Sequence, residues 1–336
     1  MNKIEPSYNK DRQILGEILP LDTPFTVGFD VSEQCNFKCR YCFRSSKPSE
    51  NWSYAKNNDL MTMETFDIAV NQLLEFPAQV KRIAFSNNGE PLCNKDLPKM
   101  IKRIKNLKLT GKTEIHTNAS LLTLEYINEL VDSNIDKIII SIQGLCTDDY
   151  KKTCGVAIDF ENFCKNIKYL YDNKNKNCEI NIKIIDTALS KKEDEETFYK
   201  IFSDMSDKLF IEKEVPLFKQ IKYSDYGKDK PVNKYGQKFQ NINYCQVIFY
   251  TLYVSPNGNI YPCQGIPPPL DFGNIKNTTL FQAWNGSRRI NYLKEQLQKT
   301  RQLQANCCNC YVPQNSVKTE ADIIDSYKDE ILGRLK

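Results

Sequence analysis

Three cysteines near the start of the chain have the spacing Cys-x3-Cys-x2-Cys. They are Cys35, Cys39 and Cys42, and they come just after an apolar run over 25–29. An iron–sulfur cubane normally takes four cysteine thiolates, so three ligands leave one iron open to something else. An open coordination position separates a reactive metal site from a structural one. The spacing therefore predicts a reactive cluster on this loop, with a zinc knuckle or a chance triplet as the alternative.

A second set of four cysteines lies in the C-terminal part, with the spacing Cys-x17-Cys-x43-Cys-x2-Cys. The four are Cys245, Cys263, Cys307 and Cys310. Four thiolates complete a closed cubane, and they would equally complete a structural zinc site. Spacing alone leaves these two interpretations open. Cys308 is an extra thiol that could replace Cys307, and the other five cysteines lack ligand spacing, so we expect them to be plain thiols: Cys93, Cys146, Cys154, Cys164 and Cys178.

The first motif resembles that of the radical S-adenosylmethionine (SAM) superfamily, which carries an aromatic residue before the third cysteine, as Tyr41 is here. The resemblance implies a 4Fe–4S cluster whose open iron binds SAM and cleaves it, after one-electron reduction, to methionine and a 5′-deoxyadenosyl radical. The second set is similar to the shortened SPASM domain, called twitch, with its Gly-x4-Cys hairpin at 258–263 and closing Cys-x2-Cys. No cysteine follows Cys310, so the resemblance implies one auxiliary 4Fe–4S cluster.

The segment Gly89, Glu90 and Pro91 resembles the Gly-Glu-Pro motif that meets the SAM amino group in this family; its usual leading glycine is Asn88 here. A glycine lets backbone approach a ligand closely, and a proline stiffens the turn. A plain turn between a strand and a helix is the alternative.

Five further residues are candidates for the SAM pocket. Asn118 ends a strand in a Thr-Asn pair similar to one found near SAM in relatives, and Phe43 could pack on the adenine as the corresponding residue does there. Ser141 and Gln143 alternate onto one face of a strand and could bond the ribose or carboxylate. Lys183 interrupts an apolar strand and could face the SAM carboxylate or the substrate. For Asn118, Ser141, Gln143 and Lys183, the alternative is an ordinary polar position at a strand end or at the rim.

Three other residues could act on a substrate. The chain has one histidine, His116, whose imidazole titrates near neutrality and could accept a proton. A structural histidine is the alternative. Glu212 and Glu214 follow a predicted strand and could receive substrate hydroxyls or amines, or they could be solvated charges at the rim.

These residues need a scaffold, and the chain between about 25 and 215 alternates short β-branched runs with helical periodicity. That alternation predicts an α/β fold with a parallel sheet and helices on its faces. The predicted strands are 25–31, 80–86, 113–117, 137–142, 179–185 and 208–211, and the predicted helices are 62–76, 94–107, 123–132, 159–172 and 193–205. Six strands suit a partial (β/α)6 radical SAM barrel, with its active site at the C-terminal ends of the strands.

The rest of the chain suggests a small C-terminal twitch/SPASM-like domain for an auxiliary cluster. An Asn-Gly pair between β-prone runs at 250–254 and 259–261 predicts a hairpin, and helices are expected near 280–298 and 318–335. We divide the chain into an N-terminal segment (1–24), the core barrel (25–215), a linker or substrate loop (216–240), the auxiliary domain (241–311) and a C-terminal helix (312–336).

Bulk composition narrows the class of protein. The net charge of +4 over 336 residues does not call for nucleic acid, and no apolar stretch approaches the roughly 20 residues that span a membrane. The N-terminus lacks the apolar core of a secretory signal. Thirteen cysteines without an export signal predict metal ligation in a reducing, cytoplasmic compartment. One histidine excludes most zinc hydrolase sites.

The gaps of the second cysteine set resemble those of radical SAM dehydrogenases that oxidise an aminocyclitol, 2-deoxy-scyllo-inosamine. We therefore expect oxidation of a secondary alcohol on a sugar or cyclitol, with flavodoxin or ferredoxin as electron donor. Modification of a ribosomal peptide or protein side chain ranks second. Against it, the first predicted strand begins near residue 25, which leaves no room for a leader-peptide domain. A non-enzymatic iron–sulfur or zinc scaffold is the third interpretation.

Overall fold

A computed structural model describes residues 3–8, 11–45, 58–85, 88–215, 217–219, 232–238 and 240–336. Most of the predicted linker at 216–240, including Gly227 and Pro231, lies outside these ranges. The domain boundaries drawn from the sequence stay predictions. No helix of the described ranges is long and apolar enough to cross a membrane.

Six parallel strands form the centre of the molecule, and each corresponds to a predicted strand. They pair in chain order as neighbours: β2 (Thr26–Phe29), β3 (Val80–Ala84), β4 (Thr110–Thr117), β5 (Lys137–Ile142), β6 (Glu179–Ile185) and β7 (Lys208–Glu212). A short β1 (Lys3–Ile4) pairs in parallel with β7 and ends the sheet on that side. The predicted partial (β/α)6 barrel is confirmed.

Helices connect the strands and cover the outer face of the sheet. In chain order, the helices of the described ranges are α1 (Leu15–Ile18), α2 (Met63–Gln72), α3 (Leu97–Leu107), α4 (Leu124–Asp132), α5 (Thr147–Cys154), α6 (Phe160–Asn173), α7 (Lys192–Phe202), α8 (Leu280–Asn285), α9 (Ser287–Gln298), α10 (Val312–Ser316) and α11 (Lys328–Arg334). Side-chain caps fix where three of these helices begin. The side chains of Thr62, Thr123 and Asp159 each accept a hydrogen bond from the backbone N–H three residues further along the chain.

Three helical predictions need correction. The predicted helix at 280–298 is two helices, because Gly286 between them has extended backbone (φ −75°, ψ 154°). The predicted helix at 318–335 is helical only at Lys328–Arg334, after two short 3₁₀ turns. The sequence did not predict α5, whose residues are mostly charged and polar.

The predicted hairpin is present as β8 (Thr251–Val254) and β9 (Ile260–Tyr261), which pair antiparallel. Gly258 has a φ of 83° in its turn, a conformation that suits glycine. Strand β8 also pairs in parallel with β2, from Thr26 opposite Thr251 to Phe29 opposite Val254. The C-terminal hairpin therefore continues the core sheet, which the local sequence pattern could not predict.

Two apolar cores hold these layers together. The larger core lies between the sheet and α2 to α7, and it includes Phe29, Phe66 and Phe85, whose rings contact one another. The smaller core joins α1, α9 and α11 to the turn at Val247–Phe249. Because the sheet packs its outer face on helices, polar residues such as Glu114 and Lys183 lie on the inner face of the barrel.

Candidate functional site

The cysteine loop follows β2 and crosses the carboxyl ends of the strands. Cys35, Cys39 and Cys42 all border one cavity of about 350 Å³, which we call the upper cavity. Burial, more than any neighbouring charge, raises the pKa of Cys35 to about 12. Thiolates rather than thiols bind metal, and the positive charge of bound iron would favour the deprotonated form. The donor chemistry of this loop therefore fits an iron–sulfur cluster.

Helix α5 fixes the middle of the cysteine loop. The backbone N–H of Lys38 donates to the carbonyl of Cys154 at 2.9 Å, and the N–H of Arg40 donates to Thr153 at 3.0 Å. The Cys154 side chain is fully buried in the larger core, with its sulfur 3.7 Å from that of Cys39. The sequence predicted a plain thiol at Cys154, and nothing in its spacing indicated this contact.

The loop after β3 packs directly on the start of the cysteine loop through Gly89. A Cβ atom at this position would lie 2.3 Å from the Ser32 carbonyl oxygen and 2.4 Å from that of Gln34. The next residue, Glu90, donates its N–H to the same Gln34 carbonyl at 2.7 Å. The glycine is thus required for contact between two loops, a reason different from the ligand approach expected from the sequence.

The Glu90 carboxylate is buried at the wall of the upper cavity and accepts three hydrogen bonds. They come from the Leu92 N–H at 3.1 Å, the Thr117 hydroxyl at 2.5 Å and the Asn118 N–H at 2.7 Å. Burial raises the pKa of Glu90 to about 7 despite these donors. A cation such as the SAM ammonium would stabilise the charged form. Pro91 begins the following 3₁₀ turn and is buried, but it does not border the upper cavity.

Amide side chains fasten the cysteine loop to the strand ends. Asn118, after β4, donates to the Asn36 side chain at 3.0 Å. Gln143, after β5, accepts a short hydrogen bond from the Tyr41 hydroxyl and donates to the Ser141 carbonyl at 3.1 Å. Asn118, Ser141 and Gln143 all border the upper cavity. Their predicted contacts with the SAM ribose or carboxylate stay predictions, while their contacts to the loop were not foreseen.

The opposite wall of the upper cavity carries an ion pair. Lys183 on β6 lies 2.5 Å from Glu212 on β7, and Lys234 lies 3.9 Å from the same carboxylate. Burial opposes ionisation of Glu212, but the two lysines outweigh it and lower its pKa. Glu214 also borders the cavity and lies 3.7 Å from Arg40 of the cysteine loop. Glu214 is therefore a buried acid, and Glu212 is a partly buried one that is paired with Lys183.

Phe43, which follows Cys42 directly, packs against residues from the C-terminal part of the chain. It packs in a small apolar cluster with Tyr41, Phe218, Ile266, Cys310 and Val312, and it is not part of the described wall of the upper cavity. Its predicted contact with adenine stays a prediction. The observed cluster instead joins the first cysteine motif to the second.

The second cysteine set also comes together, although its members are far apart in the chain. Cys245, Cys263, Cys307 and Cys310 border one small cavity. Cys307 lies 3.7 Å from the Tyr292 hydroxyl and 3.8 Å from the Gln296 amide nitrogen. Cys308 does not border this cavity, and its thiol donates to the Ala305 carbonyl at 3.3 Å. This geometry favours Cys307 over Cys308 as the ligand.

A buried arginine organises this second set, and no pattern in the sequence indicated its role. The Nε of Arg301 donates to the Ile242 carbonyl at 2.7 Å, and its Nη1 donates to the carbonyls of Cys310 at 2.6 Å and Cys307 at 3.3 Å. Arg301 therefore holds the segment before Cys245 against the closing Cys-x2-Cys.

Four cysteine thiols that border one cavity are the donor set of a closed cubane, and they would equally hold one zinc ion. Burial, followed by Cys307 and Cys310, raises the pKa of Cys245 to about 12, and bound iron would reverse this effect.

A second, deeper space lies inside the barrel, and we call it the lower chamber. Its volume is about 330 Å³, and it shares His116 and Lys234 with the upper cavity. Val247 and Val312 border both the lower chamber and the auxiliary cysteine cavity. The lower chamber therefore lies between the two cysteine sets.

His116, on the boundary between the two spaces, has its Nε2 atom 3.0 Å from a carboxylate oxygen of Glu114. Burial lowers the pKa of His116, although Glu114 opposes this shift. Burial of Glu114 opposes its ionisation, but Arg82 and His116 outweigh that effect and hold its pKa well below the usual range. Near neutral pH the imidazole is thus the better proton acceptor of the pair.

Two family models match this chain. One, described as the radical SAM superfamily, matches residues 30–202, and the other, an iron–sulfur cluster-binding domain of the SPASM type, matches residues 245–311. Among curated proteins, a probable GTP 3′,8-cyclase of Methanococcus aeolicus is 30% identical over 135 residues, which is 40% of this chain and 42% of that protein. A probable GTP 3′,8-cyclase of Methanococcus maripaludis is 34% identical over 130 residues, 38% of this chain and 40% of the relative. The chain thus matches about two fifths of the length of these relatives.

Solved structures share the fold over most of the chain. BtrN in complex with AdoMet and 2-DOIA has a TM-score of 0.54 and 20% identity, covering 88% of this chain and 95% of BtrN. Native anSMEcpe with bound AdoMet and Cp18Cys peptide has a TM-score of 0.57 and 17% identity, with 92% and 96% covered. Streptococcus suis SuiB bound to S-adenosylmethionine has a TM-score of 0.57 and 16% identity, with 93% and 79% covered.

Proposed function

This chain belongs to the radical SAM superfamily, and we propose that it oxidises a secondary alcohol of a sugar or cyclitol, with its auxiliary cluster as electron acceptor. Its cofactors are SAM and 4Fe–4S clusters. When bound, these cofactors would supply the one-electron chemistry: Cys35, Cys39 and Cys42 would hold the cluster that cleaves SAM to a hydrogen-abstracting radical, and Cys245, Cys263, Cys307 and Cys310 would hold the cluster that accepts the electron left on the alcohol carbon. The protein positions the substrate and receives the hydroxyl proton.

The observation that supports this proposal is the position of the second cysteine set relative to the first. Phe43 follows Cys42 directly in the chain and packs in one apolar cluster with Cys310. A backbone bridge between Phe218 and Cys310 holds the same region together. An electron acceptor at Cys310 would thus lie close to the loop that carries the first cysteine set. We assign Cys35, Cys39 and Cys42 to the SAM cluster. We assign Cys245, Cys263, Cys307 and Cys310 to the auxiliary cluster.

Loss of the hydroxyl proton needs a base, and we assign this role to His116. Its imidazole borders both the upper cavity and the lower chamber, so a substrate between the two could place its hydroxyl against the ring. Glu114 orients the imidazole through the 3.0 Å contact. A neutral imidazole beside the reacting group is a suitable general base.

Modification of a peptide or protein side chain is the second candidate. Two fold neighbours are complexes with a peptide: anSMEcpe with the Cp18Cys peptide and SuiB with the precursor peptide SuiA. The lower chamber, with a volume of about 330 Å³ and charged walls, favours a small polar molecule over a peptide segment. Because the curated relatives are named GTP 3′,8-cyclases, GTP belongs among the substrates tested.

The class is tested by incubating reconstituted protein with SAM and dithionite and measuring 5′-deoxyadenosine. Cys42→Ala should reduce this product by more than a hundredfold, because the cluster then loses one of its three ligands. Cys310→Ala should keep abortive SAM cleavage within about tenfold of the parent while abolishing substrate oxidation. No 5′-deoxyadenosine from the parent would refute the assignment and favour a non-enzymatic scaffold. Equal loss in both variants would refute separate roles for the two cysteine sets.

A further inference from the structure

We propose that the lower chamber binds a phosphate group of the substrate, so that the alcohol being oxidised belongs to a phosphorylated compound. This inference rests on the proposed function, because it names the substrate class of that same site. It depends on the charges that face the chamber and on one ammonium group that has no hydrogen bond or ion pair among the described residues.

Three basic side chains border the chamber from separate parts of the chain: Arg82, Lys234 and Lys318. Arg82 is on an inner strand, yet 36% of its side-chain surface is exposed, and Lys234 is 32% exposed. Since both residues border this internal space, the exposed surface faces a volume that a ligand could fill. The Nη1 atom of Arg82 donates to one Glu114 oxygen at 3.2 Å. A guanidinium has five N–H donors, so other N–H groups of Arg82 can bind a ligand.

Among these side chains, Lys318 gives the strongest evidence for an anion-binding site. Its backbone is fixed, because its N–H donates to Asp322 at 2.8 Å and its carbonyl accepts from Gln237 at 2.7 Å. Its ammonium group has no hydrogen bond or ion pair within 4.0 Å among the described residues, and the nearest aromatic ring, Tyr8, is centred 6.0 Å away. Burial, reinforced by Arg82 and Arg12, lowers the pKa of Lys318 to about 7. An anion in the chamber would restore its charge.

The negative charges nearby are already engaged. Glu114 is the one carboxylate among the described residues that border the chamber, and it contacts Arg82 at 3.2 Å, His116 at 3.0 Å and Lys137 at 3.9 Å. Asp322 is buried and bound to Arg12 at 2.5 Å. Lys234 lies 3.9 Å from Glu212 of the upper cavity. Three basic side chains therefore face two carboxylates, and the positive charge of Lys318 is left for a phosphate oxygen to balance.

Tyrosine hydroxyls add neutral donors to these cations. Tyr8, Tyr235, Tyr250 and Tyr253 border the chamber, and burial is the main reason that the pKa of each is raised. Each phenol thus keeps its proton and can donate to a phosphate oxygen. Phosphate oxygens accept several such bonds at once, whereas a neutral sugar hydroxyl would leave Lys318 without a counter-charge.

The chamber also lies where a substrate anchor would help the chemistry. His116 borders both spaces, so a phosphate held against Lys318 would direct the carbon chain past the imidazole towards the upper cavity. An anchor of this kind converts binding energy remote from the reaction into orientation of the reacting carbon.

The experiment is isothermal titration of anaerobically reconstituted holoenzyme with inorganic phosphate at constant ionic strength. We expect saturable one-site binding, at least tenfold weaker in Lys318→Met, because a charged hydrogen bond is lost. Lys318→Arg should stay within about threefold of the parent. The matched control is Lys102→Met, an exposed lysine on α3, which removes the same charge and should leave affinity within twofold. Unchanged visible cluster spectra establish that each variant is folded.

Two results would overturn the inference: no saturable phosphate binding by the parent, or equal weakening in Lys318→Met and Lys102→Met. Phosphate binding needs no turnover, so it is independent of the test of the proposed function. Binding without 5′-deoxyadenosine formation would leave the chamber assigned and refute the enzyme class. The opposite outcome would leave the enzyme class and refute a phosphorylated substrate.

Discussion

Cys154 is the residue that most directly challenges an open iron, because its sulfur lies 3.7 Å from that of Cys39. If it were a fourth ligand, the cluster would be closed to SAM. Its side chain instead belongs to the larger apolar core and does not border the upper cavity. Its location favours a packing role.

We therefore expect Cys154→Ala to keep the first cluster and SAM cleavage. The variant should lose about 1–2 kcal/mol of stability, because a small buried side chain is truncated, while 5′-deoxyadenosine formation stays within about threefold of the parent. Exposed Cys146 gives a matched control as Cys146→Ala. Loss of cluster iron in Cys154→Ala alone would show that Cys154 is a ligand.

Asp30, which follows β2, gives the protein a specific pH dependence. It accepts hydrogen bonds from the N–H and side-chain amide of Asn88 at 3.3 Å and 2.6 Å, yet burial raises its pKa to about 7. The unfolded pKa is about 3.9. The folded protein therefore holds the proton more tightly, and this contribution to stability is present below pH about 4 and is lost as the pH rises through about 7.

Asp30→Asn should remove the loss of stability that ionisation of Asp30 causes in the parent as the pH rises. The melting temperature of the variant minus that of the parent is expected to increase by about 3 °C between pH 5.5 and 8.5. Differential scanning fluorimetry of reconstituted protein measures this difference, with exposed Asp132→Asn as control. Parallel curves for Asp30→Asn and the parent would contradict the burial argument.

At the residue scale, the sequence identifies the metal-binding cysteines better than the residues that hold them in place. Cys35, Cys39 and Cys42 could be predicted because their chemistry is encoded in local spacing. Arg301 could not, since its role depends on carbonyls of Ile242 and Cys310 that only the fold brings together. The engagement of Gln143 with Tyr41 was hidden for the same reason.

At the scale of elements, contact between two loops positions the cysteine motif. The turn at Gly89 lies so close to the carbonyls of Ser32 and Gln34 that a Cβ atom has no room, and both obstacles are backbone. Backbone cannot rotate away as a side chain can, so the cysteine loop itself would have to move.

Gly89→Ala should therefore displace the cysteine loop. We expect SAM cleavage to fall at least tenfold and the melting temperature to drop by several degrees, since overpacking costs about 1–3 kcal/mol. Gly333→Ala, on α11, is the control, because a Cβ there has no atom within 4 Å. Similar behaviour of the two variants, by activity and by melting, would disprove the packing argument.

Strands and most helices could be predicted because their signals are periodic and local. Helix α5 was missed because only Tyr150, Thr153 and Cys154 are buried in a segment that is otherwise charged and polar. The break at Gly286 was missed because a single glycine is compatible with a continuous helix pattern. The pairing of β8 with β2 joins segments more than 200 residues apart, and no local pattern encodes it.

At the scale of the whole molecule, that pairing makes one sheet of the core and the C-terminal hairpin. Cys263 lies just beyond β9, and Cys42 lies on the loop after β2, so one continuous sheet fixes the positions of both cysteine sets. The barrel could be predicted from sequence, but the lower chamber could not, because its walls come from segments that are far apart in the chain. The two-cluster arrangement is therefore a property of the complete fold.

Iron and acid-labile sulfide analysis of anaerobically purified protein tests the central claim most directly. Two cubanes require about eight irons and eight sulfides per chain. Replacing Cys35, Cys39 and Cys42 together by alanine should leave about four of each, held by the auxiliary set. Zinc in place of iron, or a count of about four in the parent that the triple replacement does not change, would contradict the account.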